Sequence, residues 1–308
     1  MVNVADTELF ESERGRLTAL AYRTLGSLTE AEDVVQESWL RFAGAEQTEI
    51  RDPRAWLTTV VARMCLDVLR SARVRRESYV GSWLPEPLVQ RLPADDEQGP
   101  AEQVTRSEEI GFAMMVVLER LTPEQRVAFI LHDVFAVPFD EIASALATTP
   151  EAARQLATRG RRAAADGAPR RRADKAEQRQ AVQAFLAAAR SGDLDALLAV
   201  LAPDVVMVGD GGGIVPAGRP LDGAQAAARF LRGLFRRATA ETEFEIVPAL
   251  INGEIGLVFD VAPSALTGPD RIRAVLSITV ENGRIVRIYN QLNPHKLGHL
   301  PDLAQLRG

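Results

Sequence analysis

Glu151, Arg154, Gln155, Thr158, Arg159 and Arg162 are side chains of the kinds that meet base edges and phosphates in a major groove. They recur along one stretch with helical spacing, opposite a face of Ala153, Leu156, Ala157 and Gly160 small enough to pack closely. Acid–base chemistry is poorly supplied by comparison. Asp204, Asp210 and Asp260 are candidate acids in the second half, but no histidine lies between residues 177 and 290, and the tyrosine there is Tyr289. Asp210 precedes Gly211, Gly212 and Gly213, a composition that suits a tight backbone turn better than a desolvated base. Cys65, His132, His295 and His299 show no metal-ligand spacing, so neither a metal nor another cofactor is expected.

The elements that must position these residues can be read from capping and periodicity. Thr149-Pro150 is an N-cap followed by Pro at the first helical position, and starts the helix that carries Arg154. Before it, Val127, Ile130, Leu131 and Val134 predict one helix, and Ile142 with Leu146 marks a short second one, which makes a helix-turn-helix. Nearer the N-terminus, Thr29-Glu30-Ala31-Glu32 has the form of a capping box with Thr29 as N-cap. The helix it opens buries Val35, Trp39 and Phe42 and turns Asp33, Gln36, Glu37 and Leu40 outward. Asp52-Pro53 opens a further helix through Trp56, Val60 and Met64 toward Arg70, Arg73, Arg75 and Arg76.

A net charge of −6 seems to exclude a nucleic-acid partner until the charge is followed along the chain. Residues 51–76 carry seven arginines against two aspartates, and residues 151–175 carry eight Arg or Lys against three carboxylates. Between them, residues 77–110 carry eight carboxylates against two arginines. This acidic stretch contains prolines 85, 87, 93 and 100 and predicts a linker over 77–107, interrupted by Trp83-Leu84-Pro85-Glu86-Pro87-Leu88. A Trp and two Leu among prolines predict docking onto a folded domain.

Beyond residue 176 the pattern changes. Helices are expected at 176–190, 193–201 and 222–238, with strands near 204–209, 242–251, 254–262, 271–281 and 284–291. Asn252-Gly253 and Asn282-Gly283 stand where two-residue hairpin turns belong, so an α+β fold with an antiparallel meander is predicted. With 308 residues the chain suits several domains. It has no apolar run of ~20 residues to span a bilayer and no export signal at its start, which points to a cytoplasmic protein without a membrane partner.

Asp33-Val34-Val35-Gln36-Glu37, Trp56-Leu57 with Asp67 and Arg70, and Leu121-Thr122-Pro123-Glu124-Gln125-Arg126 together resemble an extracytoplasmic-function sigma factor over residues 7–165. Trp83 to Leu88, Asp210 to Gly213 and Asn293-Pro294-His295-Lys296-Leu297 resemble the marks of the subgroup with a fused C-terminal SnoaL-like domain. The resemblance implies a multidomain chain: two all-α sigma domains, the second a helix-turn-helix, then an α+β cone. Its parts would be a region-2 domain at 7–76, the linker, a region-4 domain at 108–165, the cone at 176–291 and a tail at 292–308.

It also implies roles. Asp33, Gln36 and Glu37 would dock on core RNA polymerase, an acidic face meeting a basic partner. The 44–51 loop and the helix bearing Arg54, Trp56, Arg63, Asp67 and Arg70 would melt and read the −10 promoter element, with cationic contacts to phosphate and a stack for an unpaired base. Trp56 also stands one turn from Val60, the spacing of a core residue. Arg63 departs from the family, which commonly has Asn there. The helix at 150–163 would read the −35 element, where Arg154 or Arg159 suits guanine, Gln155 adenine and Glu151 cytosine.

The cone is then expected to act in place of a separate anti-sigma protein. Trp83, Leu84 and Pro85 with Asp210, Gly211, Gly212, Gly213, Asn293, Pro294, Lys296 and Leu297 would form the regulatory interface. The alternative is a SnoaL-like cyclase or isomerase fused to a helical DNA-binding region.

Overall fold

The computed structural model describes residues 4–46, 50–77, 79–93, 110–167, 171, 173–241, 244–263 and 271–307. About half of the predicted linker, residue 78 and residues 94 to 107, and residues 47–49 of the loop expected beside the promoter lie outside these residues. The chain forms two compact units, Met1–Ser78 with Val117–Gly167 and Tyr79–Val116 with Ala168–Gly308.

The first unit is helical. α1 (Val4–Leu25), α2 (Leu28–Gly44) and α3 (Pro53–Glu77) pack around Leu17, Leu20, Phe42, Leu57, Val61 and Cys65, each with at most 1% exposure. α2 begins two residues earlier than Thr29 would place it. Gly26 turns the chain at φ 74°, and the Ser27 hydroxyl, on extended backbone, accepts the Glu30 N–H at 3.2 Å. Thr29 therefore sits inside the first turn. α3 starts as its sequence indicates, with Asp52 Oδ1 accepting the backbone N–H groups of Arg54 and Ala55 at 3.0 and 3.1 Å. Its buried stripe is Leu57, Val61, Cys65 and Leu69, one position out of phase with Trp56, Val60 and Met64, which are half-buried.

In the same unit, α5 (Pro123–Phe129) is closed by a reciprocal box in which Thr122 and Gln125 cap each other. It does not run on to Val134 as one α-helix. Ile130–Val134 widens into a π-helical turn. α6 (Phe139–Leu146) and α7 (Pro150–Gly167) then form the helix-turn-helix, with the Thr149 hydroxyl accepting the Ala152 N–H at 3.2 Å. α7 lies close on α5 because Gly160 has no side chain: a Cβ there would sit 2.9 Å from the Gln125 carbonyl oxygen.

The second unit is built on a seven-stranded sheet of order β1-β4-β5-β6-β7-β2-β3. β4 (Phe244–Ile251), β5 (Glu254–Val261), β6 (Ile272–Glu281) and β7 (Arg284–Gln291) form the expected antiparallel meander. Asn252, Gly253, Asn282 and Gly283 all have φ between 49° and 75°, the backbone of a tight hairpin turn. β2 (Leu201–Asp210) runs parallel to β7, however, and β3 is the short pair Leu221–Asp222. β1 (Val89–Arg91), from within the predicted linker, adds an edge strand by pairing Val89 with Ile251.

Each face of the sheet carries its own apolar layer. On one, α8 (Lys175–Ser191), α9 (Leu194–Val200) and α10 (Ala224–Glu241) bury Phe185, Leu197, Leu231 and Phe235 against Leu257, Leu276 and Ile288. On the other, Val247, Val258, Val275 and Tyr289 are covered from two directions. Leu84 and the first turn of α4 (Phe112–Leu118) come from one side, and Leu297, Leu300, Leu303 and Leu306 from the C-terminal segment, which ends in α11 (Leu303–Leu306).

Candidate functional site

In the α+β unit the three short motifs singled out in the sequence converge on one carboxylate. Asp210, at the end of β2, is 0% exposed. Its Oδ1 accepts from Tyr79 Oη at 2.6 Å and from the Gly212 N–H at 3.0 Å. Its Oδ2 accepts from the Leu84 N–H at 2.9 Å, Lys296 Nζ at 2.8 Å and Gln291 Nε2 at 3.4 Å. A carboxylate buried this far needs such compensation.

Lys296 extends the cluster. Its Nζ also donates to the Leu84 carbonyl at 2.6 Å and lies 4.0 Å from the centroid of the Trp83 ring. Gln291 Nε2 donates to the carbonyls of Leu84 and Pro85 at 3.2 and 3.0 Å, so these two residues are held by their backbone as well as by Leu84 burial. Asn293 Nδ2 donates to Tyr79 Oη at 2.9 Å, and His299 Nε2 contacts the Pro87 carbonyl at 2.9 Å.

The glycines following Asp210 are required by contact. A Cβ on Gly211 would fall 1.7 Å from the Val215 carbonyl oxygen, and one on Gly212, at φ 63°, 2.5 Å from Asn293 Cγ. Gly213 packs against Val80. Leu297 is buried in the outer apolar layer, whereas Pro294 starts the 3-10 turn that presents Lys296. Trp83, Leu84, Pro85, Asp210, Asn293, Lys296 and Leu297 are thus brought together. Tyr79, Gln291 and His299 belong to the same cluster and carry no periodic or spacing signal in the sequence.

Five donors converge on its two oxygens, so Asp210 ties the surrounding segments together. Asp260 is paired with Arg271 at 2.8 Å, and Asp204 is exposed on its strand.

In the helical unit, α7 exposes Glu151, Arg154, Gln155, Arg159 and Arg162 on one side, while Ala153, Ala157 and Gly160 are buried. The Thr158 hydroxyl is turned back to the Arg154 carbonyl at 2.8 Å. Arg161, which the sequence pattern did not single out, is tied to Asp133 at 2.6 Å. On α2, Asp33 and Gln36 are exposed, Glu37 pairs with Arg41 at 3.1 Å, and Leu40 is 58% exposed.

Three arginines of α3 have partners within the unit. Arg54 reaches Glu13 at 3.4 Å, Arg63 Nη2 donates to the Ser144 carbonyl at 2.8 Å, and Arg70 pairs with Glu124 at 2.9 Å. Trp56 packs on Phe42 with ring centroids 5.7 Å apart, which is the core role its spacing allowed.

Ionisation follows these surroundings. Burial alone would raise the Glu124 carboxyl, but its own backbone N–H and the Arg70 guanidinium outweigh that and hold it below the usual carboxylate range. Burial pushes the Cys65 thiol up. It pushes the Arg126 guanidinium down to about 9, with Cys65 and Glu30 acting in the opposite direction, and Nη1 pairs with Glu119.

A helix-turn-helix with a basic outer face, a three-helix bundle with a cationic helix and an α+β sheet domain together fit a transcription factor of the sigma class. Family models agree: Sigma-70 region 2 matches residues 9–75, Sigma-70 region 4 residues 112–163, and a SnoaL-like domain residues 182–288. The chain belongs to the ECF RNA polymerase sigma factor family, whose members direct promoter-specific initiation and are not enzymes. It is 45% identical over 303 residues to the ECF RNA polymerase sigma factor SigJ of Mycobacterium tuberculosis, covering 95% of this chain and 93% of that one. It is 33% identical to a probable ECF RNA polymerase sigma factor, SigI, of the same species, covering 97% and 96%. The crystal structure of Mycobacterium tuberculosis SigJ superposes with a TM-score of 0.74 at 41% identity, over 95% of this chain and 98% of the other. Among the described residues no helix is long and apolar enough to cross a membrane.

Proposed function

We propose that this sigma factor docks on core RNA polymerase through Asp33, Gln36 and Glu37 of α2, contacts promoter DNA through α3 and α7, and is regulated in cis by its α+β unit without a separate anti-sigma protein. The docking part is supported by an acidic, polar helix face that also leaves Leu40 in solvent. The DNA part is supported by the exposed Glu151, Arg154, Gln155, Arg159 and Arg162 of α7, and on α3 Arg54, Arg63 and Arg70 would exchange their partners Glu13, Ser144 and Glu124 for phosphate.

The observation that carries the regulatory part is the capture of the Leu84 and Pro85 backbone by Asp210, Gln291 and Lys296, with the Tyr79 hydroxyl on the same carboxylate. This segment connects the two promoter-reading regions, so holding it limits how far they can separate. The first turn of α4, where the region-4 match begins, rests on the same sheet through Phe112, 5.7 Å from Tyr289. Letting go would put Leu84 and Phe112 into water, so release needs a partner that prefers the released form. Core polymerase is that partner in this reading.

Run-off transcription and co-purification with purified core polymerase test the docking and regulatory parts. Glu37→Arg in the full chain is expected to abolish stable polymerase association at physiological salt. Asp210→Ala is expected to change promoter-dependent output at least severalfold with association retained. Association unaffected by Glu37→Arg would overturn the docking assignment, and unchanged output from Asp210→Ala would overturn regulation through the linker.

A further inference from the structure

In the helix-turn-helix, Arg154 lies over the Phe139 ring with its guanidinium carbon 5.0 Å from the centroid. His132 joins the same contact network, its ring stacked on Phe139 at 4.0 Å and 30°. His132 Nδ1 is itself 3.3 Å from the Val137 carbonyl, which restrains the imidazole on the π-helical turn. Phe139 is the first residue of α6, and Arg154 stands in the N-terminal part of α7, the part of a recognition helix that meets base edges. Phe139 is half-buried and Arg154 exposed, so the stack sits at the surface with its arginine outward.

A stacked guanidinium uses its face and keeps its N–H donors on the rim. That matters because bidentate recognition of guanine needs two of those donors in one plane at a fixed angle. An unsupported arginine would have to lose much of its rotamer freedom on binding DNA, and a stacked one has lost part of it already. Arg161 on the same helix is instead tied to Asp133, which leaves it fewer donors to offer a base.

We propose that Phe139, backed by His132, is a positioning residue for promoter specificity: it aims the edge of Arg154 at one base pair of the upstream promoter element. This rests on the reading of α7 as the promoter-reading helix.

The test is transcription by core polymerase with the full-length chain on a pool of linear double-stranded templates randomised through the upstream element, read by sequencing the transcripts. Arg154→Ala should flatten base preference at one position. Phe139→Leu, which keeps an apolar side chain, should weaken preference at that same position by about two- to fivefold and leave the others unchanged. Phe139→Trp, which keeps the aromatic face, should retain the preference. An even loss of output across the pool with Phe139→Leu, or a loss of preference at a different position, would overturn the positioning role. Unchanged preferences with Arg154→Ala would overturn the underlying reading of α7 itself, a separate and distinguishable failure.

Discussion

Lys296 Nζ lies 2.8 Å from Asp210 Oδ2, with the lysine side chain 10% exposed and the aspartate fully buried. A buried pair of this kind is costly to break from one side, because the survivor is left as an uncompensated charge. Lys296→Met is expected to destabilise the α+β unit by about 3–5 kcal/mol. Asp210→Asn added to it removes the orphan charge and should restore part of the loss. Thermal denaturation of the full chain, both single variants and the double variant gives the coupling between them, and a coupling near zero would show that the two residues act independently.

Loosening this pair should also free the segment it holds. In Lys296→Met the chain around Tyr79–Pro85 is expected to become sensitive to limited proteolysis under conditions in which the parent chain resists cleavage, since the backbone loses the ammonium on the Leu84 carbonyl. Mass spectrometry of early fragments locates the cut.

The Glu124–Arg70 pair predicts a pH dependence in the helical unit. Glu124 titrates below its ordinary value of about 4.3 in the folded chain, so the pair's contribution is fully present above that value and is lost as pH falls through the folded midpoint. The pair is substantially exposed, with side-chain exposures of 53% and 33%, and is worth no more than about 1 kcal/mol. Side-chain carboxyl chemical shifts should show a depressed midpoint for Glu124 that returns upward in Arg70→Ala.

Ala147 closes α6 at φ 51° and ψ 50°, a left-handed conformation that a Cβ disfavours. Ala147→Gly is expected to stabilise the helical unit by about 0.5–1 kcal/mol, the gain from strain relief being partly offset by the freer unfolded chain. Chemical denaturation would show it as a raised midpoint with unchanged slope.

Cys65 is buried at 0% exposure within the α1–α3 core, and burial raises its thiol above the ordinary range. Both effects suppress the thiolate that reacts. Folded chain at pH 8 should therefore react with a disulfide reagent far more slowly than denatured chain. Absorbance of the released thiol gives the ratio.

Local signals in the sequence were sufficient at several places where a short stretch decides its own geometry, although Thr29 yields the N-cap to Ser27. Asp52-Pro53 and Thr149-Pro150 start α3 and α7 because an N-cap acts on N–H groups two or three residues away. Asn252-Gly253 and Asn282-Gly283 place their hairpins for the same reason, and the helix-turn-helix with its basic face follows from periodicity. The family motifs located the Asp210 and Lys296 elements. Tertiary structure alone decided what depends on partners far along the chain. β1 exists because Val89 meets the edge at Ile251, and β2 is parallel because its neighbour is β7. Arg63 on Ser144 and Arg70 on Glu124 join residues 81 and 54 positions apart. Tyr79 reaches Asp210 across 131. Periodicity reports which face of an element is apolar, but not what covers it, and the bonds that gather Tyr79, Leu84, Asp210, Gln291 and Lys296 form only when the sheet brings those distant backbones together.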